Sequence, residues 1–458
     1  MWIRKLSVRL FLGCCLASFG LHAPPTHAVD IYVSDSTGSD ANSGTSTAAA
    51  VKTLDRAMQL VAEGVGTGVY LKSGDTFQDQ NFGRFNRSSN GGTAENPFVI
   101  GSYGGDARPV VRPAGTDSGF RIWGDNVNHV RLENIEFSKP LDQHGGGAGV
   151  SVLNPMTGLT LDGVVTSGFS VGVQLQGREN EHIHDIVIRN SIIEHSFVDK
   201  NVSSGHSSGF YSSNVENLLI ENNVFDHNGW NENLDGAAPT KFNHNLYIQS
   251  DTVDVVARDN IITRASAAGL QMRPGGVVEG NVFVENSDAF YLSNGQPDAN
   301  GQAIGNVVLH GSDKDIDGAV AWGIDLKDNA GYAAIGNLVA HGPDNAGAAL
   351  VNLDGVTTAD NVVYDWGNSP DLGTLQGVEQ RTIYTYQELL GREATIEAFI
   401  ADAKAFLPTH SADAVTAYFL EGLVYPRSVE DVALPEPGAA SLMALGIAAA
   451  CVRRKRVA

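Results

Sequence analysis

Cysteine is scarce in this 458-residue chain, which contains only three. Cys14 and Cys15 lie in an apolar N-terminal run, and Cys451 lies in an apolar C-terminal run. The long stretch between these runs contains none, so neither a disulfide framework nor a cysteine nucleophile is available there. Charged residues are also few, at 18%, and acidic residues outnumber basic ones by 52 to 30. This acidic excess argues against a nucleic-acid partner, because a phosphate backbone requires a basic surface.

The N-terminus has the order of a secretory signal peptide. Basic residues flank an apolar run that continues to about Leu21, and small residues stand at Thr26 and Ala28. This order predicts a signal peptide over residues 1–28, so the mature protein is expected to be secreted. A lipoprotein signal at Cys14 is the alternative, although its apolar segment would be very short.

The C-terminus combines three sorting features. The sequence Pro-Glu-Pro at 435–437 precedes an apolar stretch at 439–452, and four basic residues follow at 453–456. This order resembles the PEP-CTERM sorting signal of Gram-negative bacteria that make exopolysaccharide. The resemblance implies that an exosortase recognises and removes residues 432–458. The protein would then reach the cell surface, the outer membrane or the extracellular matrix. A retained C-terminal anchor held by the basic cluster is the alternative.

One motif recurs through the middle of the chain: apolar residues, one or two polar residues, Asn, and apolar residues again. Its copies are centred on Asn134, Asn223, Asn260, Asn281, Asn306, Asn337 and Asn361, and Gly163 and Ser191 fill the same column in two further copies. The spacing of the copies suits one coil of a solenoid each. Asn tolerates a left-handed corner, and its amide can bond to the Asn of the next coil, about 4.8 Å away. The repeat therefore predicts an all-β fold, a right-handed parallel β-helix with an Asn ladder.

The two ends of the predicted solenoid have helical patterns. Residues 29–77 are expected to form an N-terminal cap and first coil, with Leu54 and Val61 on one face of a capping helix. This segment resembles the cap of secreted β-helix polysaccharide enzymes. The β-helix is expected over 78–380, and short helices over 381–431 would cap its far end or pack along it. A monomer is expected.

A second repeated strand lies between the Asn corners, and its outward residues form two rows. The first row is Gln174, Tyr211, Tyr247, Gln271, Tyr291 and Asp325, and the second is Gln176, Ser213, Gln249, Arg273, Ser293 and Lys327. Tyrosine rings stack on sugars, while amides and cations bind hydroxyl groups and carboxylates. The rows predict a polysaccharide-binding face, with substrate contacts from Tyr211, Gln249, Gln271, Tyr291, Lys327 and Asp325.

The main candidates for catalysis lie in and around the segment from Lys241 to Tyr247. β-Elimination in a uronic-acid polymer needs a cation to neutralise the carboxylate, a base and an acid. Arg273 or Lys241 could be the cation, His244 the base, and Tyr247 or Tyr211 the acid. This set resembles that of parallel β-helix polysaccharide lyases, which implies cleavage of a uronic-acid-containing polysaccharide. The same groups would serve a C5-epimerase.

Other functions stay open. A non-catalytic matrix protein could bind exopolysaccharide through the same face. A glycoside hydrolase would need paired carboxylates, and Asp325 is the only acid in the two rows. This weakens hydrolysis, although acidic residues from loops, such as Asp235 and Asp288, could still supply a pair. No cofactor and no metal site is predicted, although calcium stays open. His182 and His184 would share a strand face, but two ligands do not complete a coordination sphere.

Overall fold

Parallel strands wind through the chain in a repeating order, one strand to each of three sheets in every full coil. The computed structural model describes residues 30–423 apart from 64–66, 84, 86–91, 126, 293–300, 313, 315, 317–320 and 328–330. Among the described residues, neighbouring strands pair in parallel throughout the three sheets, and the predicted parallel β-helix is confirmed. The predicted signal peptide and sorting tail lie outside the described residues.

The strands of the three sheets, here named A, B and C, are short. In the described part of the chain, sheet A contains Ile31–Val33, Gly68–Lys72, Phe98–Tyr103, Val130–Glu133, Met156–Asp162, Ile183–Arg189, Val215–Glu221, Val253–Arg258, Gly276–Glu279, Gly301–Ile304, Ala333–Ile335 and Thr357–Ala359. Sheet B contains Thr76–Gln78, Val110–Arg112, Glu136–Ser138, Val165–Ser167, Ile192–Glu194, Val224–Asp226, Ile261–Thr263, Val282–Val284, Val307–Leu309, Leu338–Ala340 and Val362–Tyr364. Sheet C contains Phe120–Ile122, Ala148–Val152, Val171–Gln176, Ser208–Ser213, His244–Ile248, Ala268–Met272, Asp288–Leu292, Trp322–Asp325 and Leu350–Val351.

The core runs down the inside of the coils. Each strand turns alternate side chains inward, where they stack on the equivalent residue of the next coil. Phe210 of sheet C, for example, pairs in register with Leu246, which pairs with Leu270, and all three are fully buried. Because every coil repeats this burial, the apolar area removed from water grows with the number of coils.

The corner between sheets A and B carries the Asn ladder, over fewer positions than predicted. From Asn223 to Asn361, the Nδ2 of each ladder asparagine donates to Oδ1 of the next at 2.9–3.1 Å. Asn134 and Gly163 do not belong to this ladder, because the strand register places them one residue earlier, where the backbone is left-handed. The ladder asparagines themselves are not left-handed. Their predecessors are, such as Gly280 at φ 62°.

Short helices flank the solenoid. The α-helices of the described chain are α1 Leu54–Ala62, α2 Ile383–Leu389, α3 Ile396–Lys404 and α4 Ala412–Phe419, and the 3-10 turns are Thr47–Ala49, Asp235–Ala237, Val378–Gln380 and Pro408–His410. Leu54 and Val61 of α1 are buried in the core of the first coils, as expected for a cap. Short helices were expected over 381–431, and they are present there, with a break between α2, which ends at Leu389, and α3, which begins at Ile396.

The C-terminal helices pack along the solenoid rather than over its end. Outward residues of sheet B, including Val282 and Leu338, form one buried apolar cluster with Phe399 and Ile400 of α3 and Val415 of α4. Sheet B is therefore apolar on both faces, which leaves sheets A and C to present polar surfaces. None of the helices in the described residues is long and apolar enough to cross a lipid bilayer.

Candidate functional site

The predicted first outward row is one line of residues across sheet C. Strand register joins its members in the order Gln174, Tyr211, Tyr247, Gln271, Tyr291 and Asp325. The three tyrosines are half-buried, so each leaves part of its ring accessible. The rings of Tyr211 and Tyr247 meet edge to face, with centroids 5.6 Å apart. Tyr211 and Tyr247 lie on neighbouring coils, and the buried Gln271 stands between Tyr247 and Tyr291. The line therefore offers an aromatic surface on three of four successive coils.

Residues of the second row contact the first. The Arg273 guanidinium donates to Gln249 Oε1 at 3.1 Å, and Gln249 Nε2 donates to Tyr247 Oη at 3.0 Å. The Arg273 guanidinium carbon also lies 5.7 Å from the centroid of the Tyr247 ring. Ser293 lies outside the described residues. Arg273, Gln249 and Tyr247 thus form one set with a fixed cation beside a phenol.

His244 lies beside this set, but its surroundings do not suit the role of base. Its ring centroid is 5.2 Å from that of Tyr247, and the side chain is 4% exposed. Burial lowers the pKa of His244 to about 3, and the positive charges of Arg273 and His206 add to this effect. Nδ1 accepts a hydrogen bond from the backbone N–H of Ala268 at 3.2 Å. A neutral imidazole that accepts at Nδ1 carries its proton on Nε2, so this arrangement does not favour His244 as a base, and its role as general base stays a prediction.

The asparagines on either side of His244 hold the chain in place. Asn243 Oδ1 accepts from the backbone N–H of Ser207, one coil earlier, at 3.0 Å. Asn245 turns inward, where its Oδ1 accepts from Asn228 Nδ2 at 2.8 Å and its Nδ2 donates to the backbone of Thr263. Asn245 thereby links two coils at the corner between sheets B and C. These buried amide contacts explain why an asparagine stands on each side of His244.

Lys241 lies apart from the tyrosine line, in the loop before His244. The residue is exposed, and its ammonium group is 5.8 Å from the centroid of the exposed Phe242 ring. The described contacts thus place Lys241 against Phe242, whereas Arg273 is the cation that lies against Tyr247. Asp235, considered above as a loop acid, is exposed in a 3-10 turn of the same connection and not in a sheet C row.

A third outward row begins the sheet C strands, and the sequence analysis missed it. Register joins Ser208 to His244 and Asp288 to Trp322, and it places Ala268 beside Asp288. Asp288 was assigned to a loop, yet it is the first residue of its strand. Extending the aligned strands by one residue toward their N-termini lines these residues up, but strict period-two alternation would have turned them inward.

Asp288 and Trp322 bring an unpaired acceptor and an unpaired donor to adjacent positions. Among the described residues, the buried Asp288 Oδ1 and the buried Trp322 Nε1 have no hydrogen-bond partner. Burial raises the pKa of Asp288 to about 7, and the nearby negative charge of Asp325 adds to the rise while Lys327 opposes it. A carboxylic acid that keeps its proton near neutral pH can act as a general acid.

Asp325 is a contrasting carboxylate on the same face. Its Oδ2 forms an ion pair with the Lys327 ammonium, and its Oδ1 accepts from Asn352 Nδ2 at 2.8 Å. The same ammonium lies 5.3 Å from the centroid of the Tyr291 ring. Burial raises the pKa of Tyr291 above its usual range, so its hydroxyl group remains protonated. The site thus holds a carboxyl group with a raised pKa, Asp288, and a second carboxylate, Asp325, that is paired with a lysine ammonium.

No family model and no curated protein matches the chain. Among solved structures, a GH136 lacto-N-biosidase from Eubacterium ramulus is similar at a TM-score of 0.42 and 14% identity, over 74% of this chain and 68% of that one. The complex of XylC with xylose is similar at 0.44 and 10%, over 68% and 69%. DFA-IIIase from Arthrobacter chlorophenolicus A6 reaches 0.30 and 15%, over 68% and 87%. Similarity this low assigns no function to the chain.

Proposed function

We propose that this protein binds a glycan chain along sheet C and cleaves it. The observation that carries the proposal is the unbroken register of the row from Gln174 to Asp325, with three half-buried tyrosines in line. Aromatic faces bind the C–H surfaces of sugar rings, and the glutamines and charged groups beside them bind hydroxyl groups. An outward row serving solvation alone would have no need for three tyrosines in one line.

Hydrolysis is the reaction that the acidic groups favour. Glycoside hydrolases use two carboxyl groups, one that donates a proton to the leaving oxygen and one that acts in ionised form. Asp288 has the raised pKa of the donor, and Asp325, which forms an ion pair with Lys327, is the candidate for the second carboxylate.

β-Elimination of a uronic-acid polymer is the second candidate, and the placement of Arg273 favours it. The guanidinium group beside Tyr247 could neutralise a substrate carboxylate. The Tyr247 oxygen would take the C5 proton as the C4–O bond breaks and then return this proton to the leaving oxygen. In this reaction His244, buried beside Tyr247, would keep water away from the phenol and would not act as the base. C5-epimerisation would use the same groups.

A panel of soluble glycans separates these reactions. The mature protein is incubated with alginate, pectin, glycosaminoglycans and neutral polysaccharides, and two products are followed in parallel. New reducing ends without ultraviolet absorbance indicate hydrolysis, and an unsaturated uronide indicates elimination. Asp288→Asn should reduce hydrolysis by about 10²- to 10⁴-fold, the usual contribution of a general acid. Binding without either product would identify a matrix protein, and the absence of both binding and cleavage would contradict the proposal.

Secretion and processing belong to the same proposal. A glycan-active protein that carries the predicted signal peptide and exosortase-recognised tail would meet its substrate at the cell surface or in the matrix. Cell fractionation of full-length protein and of a variant lacking 432–458 tests this prediction. Retention of both forms in the cytoplasm would contradict it.

A further inference from the structure

Sheet A carries an open pocket at the start of its strands. The pocket has a volume of about 430 Å³, and Met156, Thr157, Glu181, His182 and His184 contribute to its lining. It lies on a different sheet from the tyrosine line, so the proposed glycan site does not account for it. Two imidazole side chains therefore line this open pocket, and imidazole nitrogens are common metal ligands.

A carboxylate on the adjacent strand faces both imidazoles. Strand register pairs His184 with Glu216, and His184 Nδ1 lies 3.3 Å from Glu216 Oε2. His182 Nδ1 lies 3.9 Å from the same oxygen, and the two imidazole ring centroids are 6.0 Å apart. Glu216 Oε2 therefore lies close to both imidazoles, but the ligand atoms of the three residues are not all within 4.8 Å of one another, so metal binding requires a rotation of the His182 side chain.

We propose that His182, His184 and Glu216 bind a divalent transition-metal ion such as Zn²⁺, with a coordination position open toward the pocket. Zn–N and Zn–O bonds are about 2.0–2.2 Å long, so two ligand atoms of a tetrahedral ion lie about 3.3–3.5 Å apart. The His184–Glu216 pair already has this separation. His182, whose side chain is 30% exposed, must rotate toward the ion, and the pocket beside it leaves room for this.

The ligand types of the cluster suit a transition metal. Two imidazole nitrogens and one carboxylate oxygen are donors that a divalent ion such as Zn²⁺ accepts. The other nearby carboxylate, Glu181, is already paired with Arg178 at 2.8 Å. It is therefore not needed as a ligand, and it keeps the positive charge of Arg178 engaged.

A second group of potential metal ligands is already paired with side-chain cations. Glu194, His195 and Asp226 bring their ligand atoms within 4.8 Å of one another. The Lys404 ammonium, however, lies 2.5 Å from both carboxylates, and Arg264 contacts Asp226 at 2.6 Å. These cations supply the positive charge that a metal would bring, so this group is an ion-pair cluster. No such cation contacts Glu216 among the described residues.

Metal titration of untagged mature protein tests the site. Equilibrium dialysis against Zn²⁺ measures stoichiometry and affinity, and Co²⁺ absorption reports tetrahedral nitrogen and oxygen ligation. We expect one tight equivalent, weakened at least about tenfold in each of His182→Ala, His184→Ala and Glu216→Gln. His206→Ala removes an exposed histidine elsewhere and should bind as the wild type does.

Two outcomes would overturn the inference. One is wild-type protein that binds no stoichiometric Zn²⁺. The other is a set of three ligand variants whose affinity equals that of His206→Ala. Thermal unfolding of each variant controls for loss of fold, and His184→Gln provides a milder change if His184→Ala proves unstable. Because the test does not use activity, failure of the glycan proposal would leave its result unaffected.

Discussion

Asp288 is the residue at which position and electrostatics combine most directly. It begins a strand of sheet C, next to Trp322, and its buried carboxyl group holds a proton up to about pH 7. Burying an ionised carboxylate costs free energy, so the folded protein favours the protonated form. The same burial that makes Asp288 a candidate acid therefore makes it a source of instability at alkaline pH.

Asp288→Asn should stabilise the protein at high pH. The raised pKa means that the folded state holds a proton that the unfolded state releases above about pH 4, so the stabilising effect of Asp288 is lost as pH rises through 7. Urea unfolding should show that the variant has a higher free energy of unfolding than the wild type at pH 8, by roughly 2 to 4 kcal/mol. At pH 4 the two proteins should differ little. Exposed Asp235→Asn is the control. An equal effect of Asp288→Asn at both pH values would count against the assignment.

His244 should stay neutral across the physiological range. Burial and the charges of Arg273 and His206 depress its pKa to about 3, so its neutral form contributes stability that is present above pH 6.5 and is lost as pH falls toward 3. Nitrogen NMR of the imidazole should show protonated Nε2 and unprotonated Nδ1 from pH 5 to 8. His244→Gln identifies the signal. If the His244 imidazole titrated with a midpoint near pH 6.5, the result would favour its role as the base.

At the scale of the strand, period-two alternation predicts much of the face but not all of it. The Tyr211–Tyr247–Tyr291 line follows from alternation, because successive side chains of a strand point to opposite faces. The third outward row, which contains His244 and Asp288, was not predicted because the alternation is interrupted at Asn245. This residue turns inward beside the inward Leu246. Asp288 therefore could not be placed on the face by counting back from Tyr291.

The corners and the C-terminal helices set similar limits on the sequence prediction. Asn134 resembles a ladder residue in its local sequence, and only the strand register shows that it lies one position earlier. The helical pattern predicted short helices over 381–431, but it did not locate the break between Leu389 at the end of α2 and Ile396 at the start of α3.

The Asn ladder should be a measurable source of stability. Asn306 Oδ1 accepts from the backbone N–H and Nδ2 of Asn281, and its Nδ2 donates to Asn337 and to a backbone carbonyl. Asn306→Ala leaves these buried groups unpaired and should lower the free energy of unfolding by about 2 to 4 kcal/mol. Exposed Asn368→Ala should change it by less than about 0.5 kcal/mol. Similar losses in the two variants would refute a stabilising ladder.

At the scale of the whole molecule, the C-terminal helices and sheet B are joined by a buried ion-pair cluster. Burial opposes ionisation of Asp226, but hydrogen bonds and charge from Arg264 and Lys404 outweigh it and lower the Asp226 pKa. Lys404 belongs to α3, so this contact fixes the helix over the apolar cluster on sheet B. The arrangement closes one long face of the solenoid and leaves sheets A and C accessible.

Lys404→Met should loosen the helices from the solenoid. The change removes one of the two cations that compensate the buried Asp226 carboxylate. Because Arg264 remains in place, the expected loss of stability is below the roughly 3 to 5 kcal/mol that breaking a buried pair typically costs. Hydrogen exchange should accelerate in α3 and α4 more than in the sheet A strands. Lys52→Met, at an exposed position, is the control. Uniform exchange rates in the two variants would indicate that Lys404 does not hold the helices.

Affinity electrophoresis through gels containing soluble polysaccharides tests most directly whether sheet C binds a glycan. Wild-type protein and Tyr384→Ala, which alters an exposed tyrosine of α2, should be retarded by at least one polysaccharide of the panel. Tyr247→Ala and Tyr291→Ala should migrate nearly unretarded, because each removes a stacking surface from the middle of the line. Equal retardation of all four proteins, or none of the wild type in any gel, would contradict the assignment of sheet C as the glycan-binding face.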